Sequence, residues 1–154
     1  MHFLLLYSIA ALALYQPLHG LILPPADKLI ALVQHDTDKT PALGTASFEQ
    51  QRSMQNTIEQ ELSAIGLGNV EFAYQNYLTR DFQRQTSLEI FRKFIDQYGD
   101  LWDQAHFDYK KIPIHEDRVA VVKGTLSSSY SITYFMKEED DEWKILGIEV
   151  LPRD

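Results

Sequence analysis

The sequence predicts an α+β domain in which three helices precede an antiparallel sheet of about four strands. Three observations carry that expectation. Apolar residues recur with the 3.6-residue period of a helix from Met54 to Tyr98. After Trp102 the period falls to two, as in strands that bury one face. The strand-like stretches follow one another through short polar connections, which pair neighbours antiparallel.

The first helix opens at Ser47. Its hydroxyl and the Gln50 side chain have the spacing of a reciprocal capping box. Met54, Ile58, Leu62 and Ile65 form its apolar stripe, opposite Gln51, Arg52, Gln55, Glu59 and Gln60. Gly66 ends it, and Gly68 opens the turn into Asn69, the N-cap of the second helix. Behind Asn69, Ala73, Tyr74, Tyr77 and Leu78 keep helical spacing. Residues 79–85 read as a polar connection pinned inward by Phe82. The third helix is expected from a Thr86/Glu89 capping box, with Ile90, Phe91, Phe94, Ile95 and Tyr98 as its stripe and Gly99 as its stop.

Strands follow. Phe107, Tyr109, Ile112 and Ile114 suggest a first strand with a bulge where apolar parity switches near Lys110 and Lys111. Residues 119–126 give a second, with Gly124 as a bend. Tyr130, Ile132, Tyr134 and Met136 alternate in a third. Trp143, Ile145, Ile148 and Val150 make the last, with its parity slipping at Gly147.

A chain of 154 residues, 45% hydrophobic, suits one domain with a short appendage. A formal net charge of -8 argues against a nucleic-acid surface, because phosphate contacts need clustered Lys and Arg. Without cysteine there is no disulfide framework, thiol nucleophile or Cys-based metal site. Residues 3–14 form an apolar run of signal-peptide length, and no charged residue precedes Asp27. Residues 1–20 are therefore expected to be a cleaved signal or, if retained, a membrane anchor, which makes the protein exported: periplasmic or secreted, or inner-membrane anchored. Residues 21–46, broken by Pro24 and Pro25, read as a linker, and the domain as 47–154. His35, Asp36 and Asp38 in that linker have no second ligand cluster to support a rigid metal site. The acidic run from Glu138 to Glu142 lacks the spaced ligands and central glycine of a calcium loop and reads as a solvated turn.

The order of elements resembles the cystatin-like or nuclear transport factor 2-like superfamily, and within it a group of small exported bacterial domains. The residues that carry the resemblance are Ala73 and Tyr74; Thr79 and Phe82; Thr86, Ser87, Phe91, Phe94 and Tyr98; and the closing stretch from Trp143 to Val150. It spans roughly residues 47–152 and implies a curved sheet wrapping a helix into a cone, often with a pocket at its open end. The superfamily holds isomerases, dehydratases, cyclases and many non-enzymes, so it implies no single activity.

Three functions follow as expectations. A binding domain would line the cone with Tyr74, Tyr77, Phe91, Phe94, Trp102, Tyr130, Tyr134 and Trp143 and take a small apolar ligand or a protein partner. An isomerase- or dehydratase-type enzyme would need a pocket acid or base, for which His106, Asp108, Tyr130 and Tyr134 are candidates. Yet His106 and Asp108 share the strand face opposite Phe107 and Tyr109, so they point outward if those aromatics point in. No H-E-x-x-H, G-x-S-x-G or P-loop is present. An anchored interaction or secretion-scaffold domain would dock a partner on its sheet, and a homodimer could use the same surface. The expected function is non-catalytic binding, with no cofactor and no metal.

Overall fold

The computed structural model describes Leu21–Ile22 and residues 43–154 apart from Glu116. The expected signal segment and the linker residues His35, Asp36 and Asp38 lie outside the described residues. The element order is β1 (Leu21–Ile22), β2 (Gly44–Thr45), α1 (Phe48–Gly66), α2 (Val70–Tyr77), α3 (Arg80–Gln85) and α4 (Leu88–Tyr98). A 3-10 turn (Gly99–Gln104), β3 (His106–Phe107), β4 (Pro113–Ile114), β5 (Ala120–Ser127), β6 (Tyr130–Glu139) and β7 (Glu142–Pro152) follow. Four helices thus lead into a curved antiparallel sheet, where three helices and about four strands were expected. Six strands run in the order β1-β7-β6-β5-β4-β2, and β3 pairs separately with β5.

α1 starts as its sequence requires. The Ser47 hydroxyl accepts from the Gln50 N–H at 3.2 Å, and Gln50 Oε1 accepts from the Ser47 N–H at 2.8 Å. It ends at Gly66, as expected. Gly68, at φ 78°, takes the left-handed position, while the Gly68 and Asn69 N–H groups donate to Ile65 and Ala64 in a Schellman arrangement. Asn69 precedes α2, but its side chain makes no capping hydrogen bond.

The connection over residues 79–85 is itself a helix. Thr79 caps it by accepting from the Phe82 N–H, and Phe82 is fully buried. Since α3 ends at Thr86, that residue is not free to cap the next helix. Ser87 does so instead, accepting from the Ile90 N–H at 3.2 Å. Tyr74 ties α2 to α3 through its hydroxyl, which lies 2.7 Å from the Thr86 carbonyl and 3.0 Å from that of Gln83.

The first strand is divided into β3 and β4. Between them Lys111 takes φ 53°, and Asp108 Oδ1 accepts from the Lys110 N–H, so a turn stands where one bulge was expected. Gly124 permits this layout less as a bend than by approach. A Cβ there would lie 2.3 Å from the His106 carbonyl oxygen, which only glycine tolerates. Register slips between Phe135 and Met136 as β6 meets β7 near Gly147, bending the sheet. The acidic turn between β6 and β7 contains only Asp140 and Asp141, at φ 54° and 62°, the type I′ signature. It is exposed, as expected, with Glu139 alone of the run half-buried, and Arg80 pairs with Asp140 and with Glu139 at 3.6 Å.

The helices cover one face of the sheet. Met54, Ile58, Phe82, Phe91 and Phe94 meet Val122, Ile132, Tyr134, Met136, Ile145 and Ile148 in the main core. Full burial of each large side chain contributes about 1.5–3 kcal/mol before entropy is counted. Val119, Val121, Phe135 and Leu146 form a second buried cluster. Val121 and Phe135 are cross-strand partners of parity opposite to Val122 and Tyr134, which places this cluster on the other face.

Candidate functional site

α1 carries two stripes. Phe48, Gln51, Arg52 and Gln55, spaced i, i+3, i+4 and i+7, face an open cleft of about 770 Å³ whose other wall is residues 106–110. The second stripe is Met54, Ile58, Glu61 and Ile65, and all four are buried. Leu62, expected in that stripe, is only half-buried because Glu61 takes the inward position.

Glu61 is therefore a carboxyl with no exposure to solvent. Tyr134 donates its hydroxyl to Glu61 Oε2 at 2.8 Å. Glu61 Oε1 has no hydrogen-bond partner among the described residues. Burial pushes the Glu61 carboxyl up to about 8, with the Tyr134 hydrogen bond opposing it. At neutral pH it is thus mostly a neutral acid, because an ion there would lose its hydration for one hydrogen bond. Tyr134 is pushed well above the usual phenol range by burial, then by the charge of Glu61 and by the hydrogen bond to it. Tyr109 is raised by burial and by the charges of Glu59 and Glu61.

Phe107 and Tyr109 separate this acid from the cleft. Both line the cleft, and their rings pack at 6.2 Å. On its other side Phe107 packs on Tyr134 at 4.8 Å. The chain of contact is cleft, Phe107 and Tyr109, Tyr134, Glu61. Such a carboxyl can donate one hydrogen bond and accept another, or ionise against a cationic partner. Among the described residues, no group of three or more His, Cys, Asp or Glu is placed to hold a metal ion.

Residues 47–154 match a family model described as a domain of unknown function, DUF4864. The chain belongs to the DUF4864 family. No curated protein and no solved structure matches it. The cleft and Glu61 both lie within the DUF4864 region.

The eight aromatics expected to line a pocket are placed elsewhere in this DUF4864 domain. Phe91, Phe94, Trp102, Tyr134 and Trp143 are buried in the main core, with Tyr74, Tyr77 and Tyr130 half-buried against it. Their rings fill the interior edge to face: Phe94, Tyr98 and Trp102 contact one another, and Tyr98 also meets Tyr130. Tyr77 and Trp143 line a surface depression of about 220 Å³ beside Lys144. His106 and Asp108 are exposed, as parity required, yet both line the larger cleft, whereas Tyr130 and Tyr134 do not. Sequence reasoning missed Phe48 and Glu61. The signal for Glu61 was available: seven residues after Met54 and three after Ile58, it sits on the buried line of the helix.

Proposed function

We propose that this DUF4864 chain is an exported, non-catalytic binding domain of the nuclear transport factor 2-like type. Its ligand surface is the cleft between the start of α1 and residues 106–110, and the ligand is a small molecule with an apolar or aromatic body. One observation carries this reading. Phe91, Phe94, Trp102, Tyr134 and Trp143 are buried in the core, while Phe48 stands 77% exposed at a cleft floored by Phe107 and Tyr109. An exposed phenylalanine beside two more rings, with Gln51 and Gln55 as hydrogen-bonding groups, is the composition of a small-molecule site.

The test is an NMR titration of the full chain with a set of aromatic fragments. Binding should perturb Phe48, Phe107 and Tyr109, and Phe48→Ser should weaken it at least tenfold while leaving the melting temperature unchanged, since the side chain is exposed. Perturbation centred on Tyr77 and Trp143, or none at all, overturns the assignment. The second reading is an acid–base enzyme of isomerase or dehydratase type. The observation favouring it is Glu61, a carboxyl kept protonated beside a tyrosine. It is the weaker of the two because neither Glu61 nor Tyr134 reaches solvent.

A further inference from the structure

A buried polar atom without a partner costs about 1–3 kcal/mol. The fold accepts that cost at Glu61 Oε1, on a helix whose other inward positions are Met54, Ile58, Ala64 and Ile65. A leucine at position 61 would complete the apolar stripe at no such cost, so the carboxyl is poorly explained by packing. Its position relative to the cleft suggests a use. The Phe107 and Tyr109 rings, and behind them Tyr134, stand between the two, and Tyr109 is half-buried, at the border between cleft and core.

We infer that Glu61 is the inner anchor of the cleft, reached when the Tyr109 ring swings aside, and that it receives the ammonium head of a small amine with an apolar body. This rests on the binding reading above and adds the chemical class of the ligand. Three features select a cation over a neutral or anionic head. Glu59 acts on Tyr109 as a negative charge, and Glu61 adds to it once ionised, so the wall favours a cation. Phe48, Phe107 and Tyr109 offer ring faces that attract an ammonium. Glu61 Oε1 is open to a donor while Tyr134 holds Oε2. Arg52 and Lys110 also line the cleft, but both are exposed and their charges lie in water, where screening is strong.

The proton balance is definite. Near neutral pH the amine arrives protonated and Glu61 is a neutral acid. Pairing ionises Glu61, and its proton passes to the solvent, so binding releases about one proton per ligand. Tyr134 stays neutral and keeps donating to Oε2.

The experiment is calorimetry on the full chain at pH 7 with benzylamine, benzyl alcohol as its neutral counterpart, and two buffers of different ionisation enthalpy. Benzylamine should bind at least tenfold more tightly than benzyl alcohol, with release of about one proton. In Glu61→Gln, which keeps the size and the acceptor for Tyr134, that preference and the release should vanish while benzyl alcohol binds as before. Equal binding of amine and alcohol without proton release, both sensitive to Phe48→Ser, overturns the amine assignment and leaves the cleft reading standing. Binding of neither probe overturns both. Wild-type proton release does not depend on the variant's folding.

Discussion

At the scale of single residues, Glu61 ties stability to pH. Its carboxyl is raised from the ordinary 4.5 to about 8 in the folded chain, so between those values the native state holds a proton that the unfolded chain has lost. Stability from this group is full below about pH 4.5 and is lost as pH rises through 8. The slope contributed approaches about 1.4 kcal/mol per pH unit at most. Urea denaturation of the wild type should show that decline between pH 5 and 8, and Glu61→Gln should flatten it. An unchanged pH profile in the variant would show that Glu61 ionises freely in the fold. Gly124 offers a second test. A methyl there would collide with the His106 backbone oxygen. Gly124→Ala should cost about 1–3 kcal/mol in overpacking and, by displacing β3, distort the cleft wall. Amide exchange at residues 106–110 reports that directly.

At the scale of elements, the helical half rests on side-chain caps and on one small helix. Ser47→Ala removes the acceptor for the Gln50 N–H and should cost about 0.5–2 kcal/mol in denaturant midpoint. Phe82 is the only buried residue of α3, and its ring contacts Tyr74 and Phe91. Phe82→Ala should cost about 3–5 kcal/mol and release α3 from α2. What was legible here followed from periodicity and caps. α1, α4 and the inward Phe82 could be read because long stripes and Ser47/Gln50 state their roles locally. α3 could not be read, since six residues, polar but for Phe82, are helical only through the Thr79 cap, the Gln83 contacts to α2 and the burial of that one ring. Thr86 and Ser87 are adjacent cap-type residues, and the choice between them is made by where α3 ends.

At the scale of the molecule, both faces of the sheet are buried where Val119, Val121, Phe135 and Leu146 cluster, although the period of two read as burial of one face. The run of Val119, Val121 and Val122 without clean alternation already hinted at two-sided burial. Val121→Lys should therefore lower stability by about 2–3 kcal/mol, against near neutrality on a solvated face. The candidate site was harder to read than the fold. The cleft joins residues about fifty positions apart, and aromatic content marks cores and pockets alike.

The hairpin of β6 and β7 has a further consequence in time rather than in energy. Its two strands pair through ten registered positions around a two-residue loop, whereas α1 meets β7 from far away in sequence. Closing so short a loop loses little chain entropy, which makes this hairpin the natural first structure on the folding route. Asp141 holds a left-handed conformation that glycine adopts without penalty. Asp141→Gly should then speed refolding and leave the unfolding rate alone, and stopped-flow kinetics would reveal this hairpin as an early nucleus.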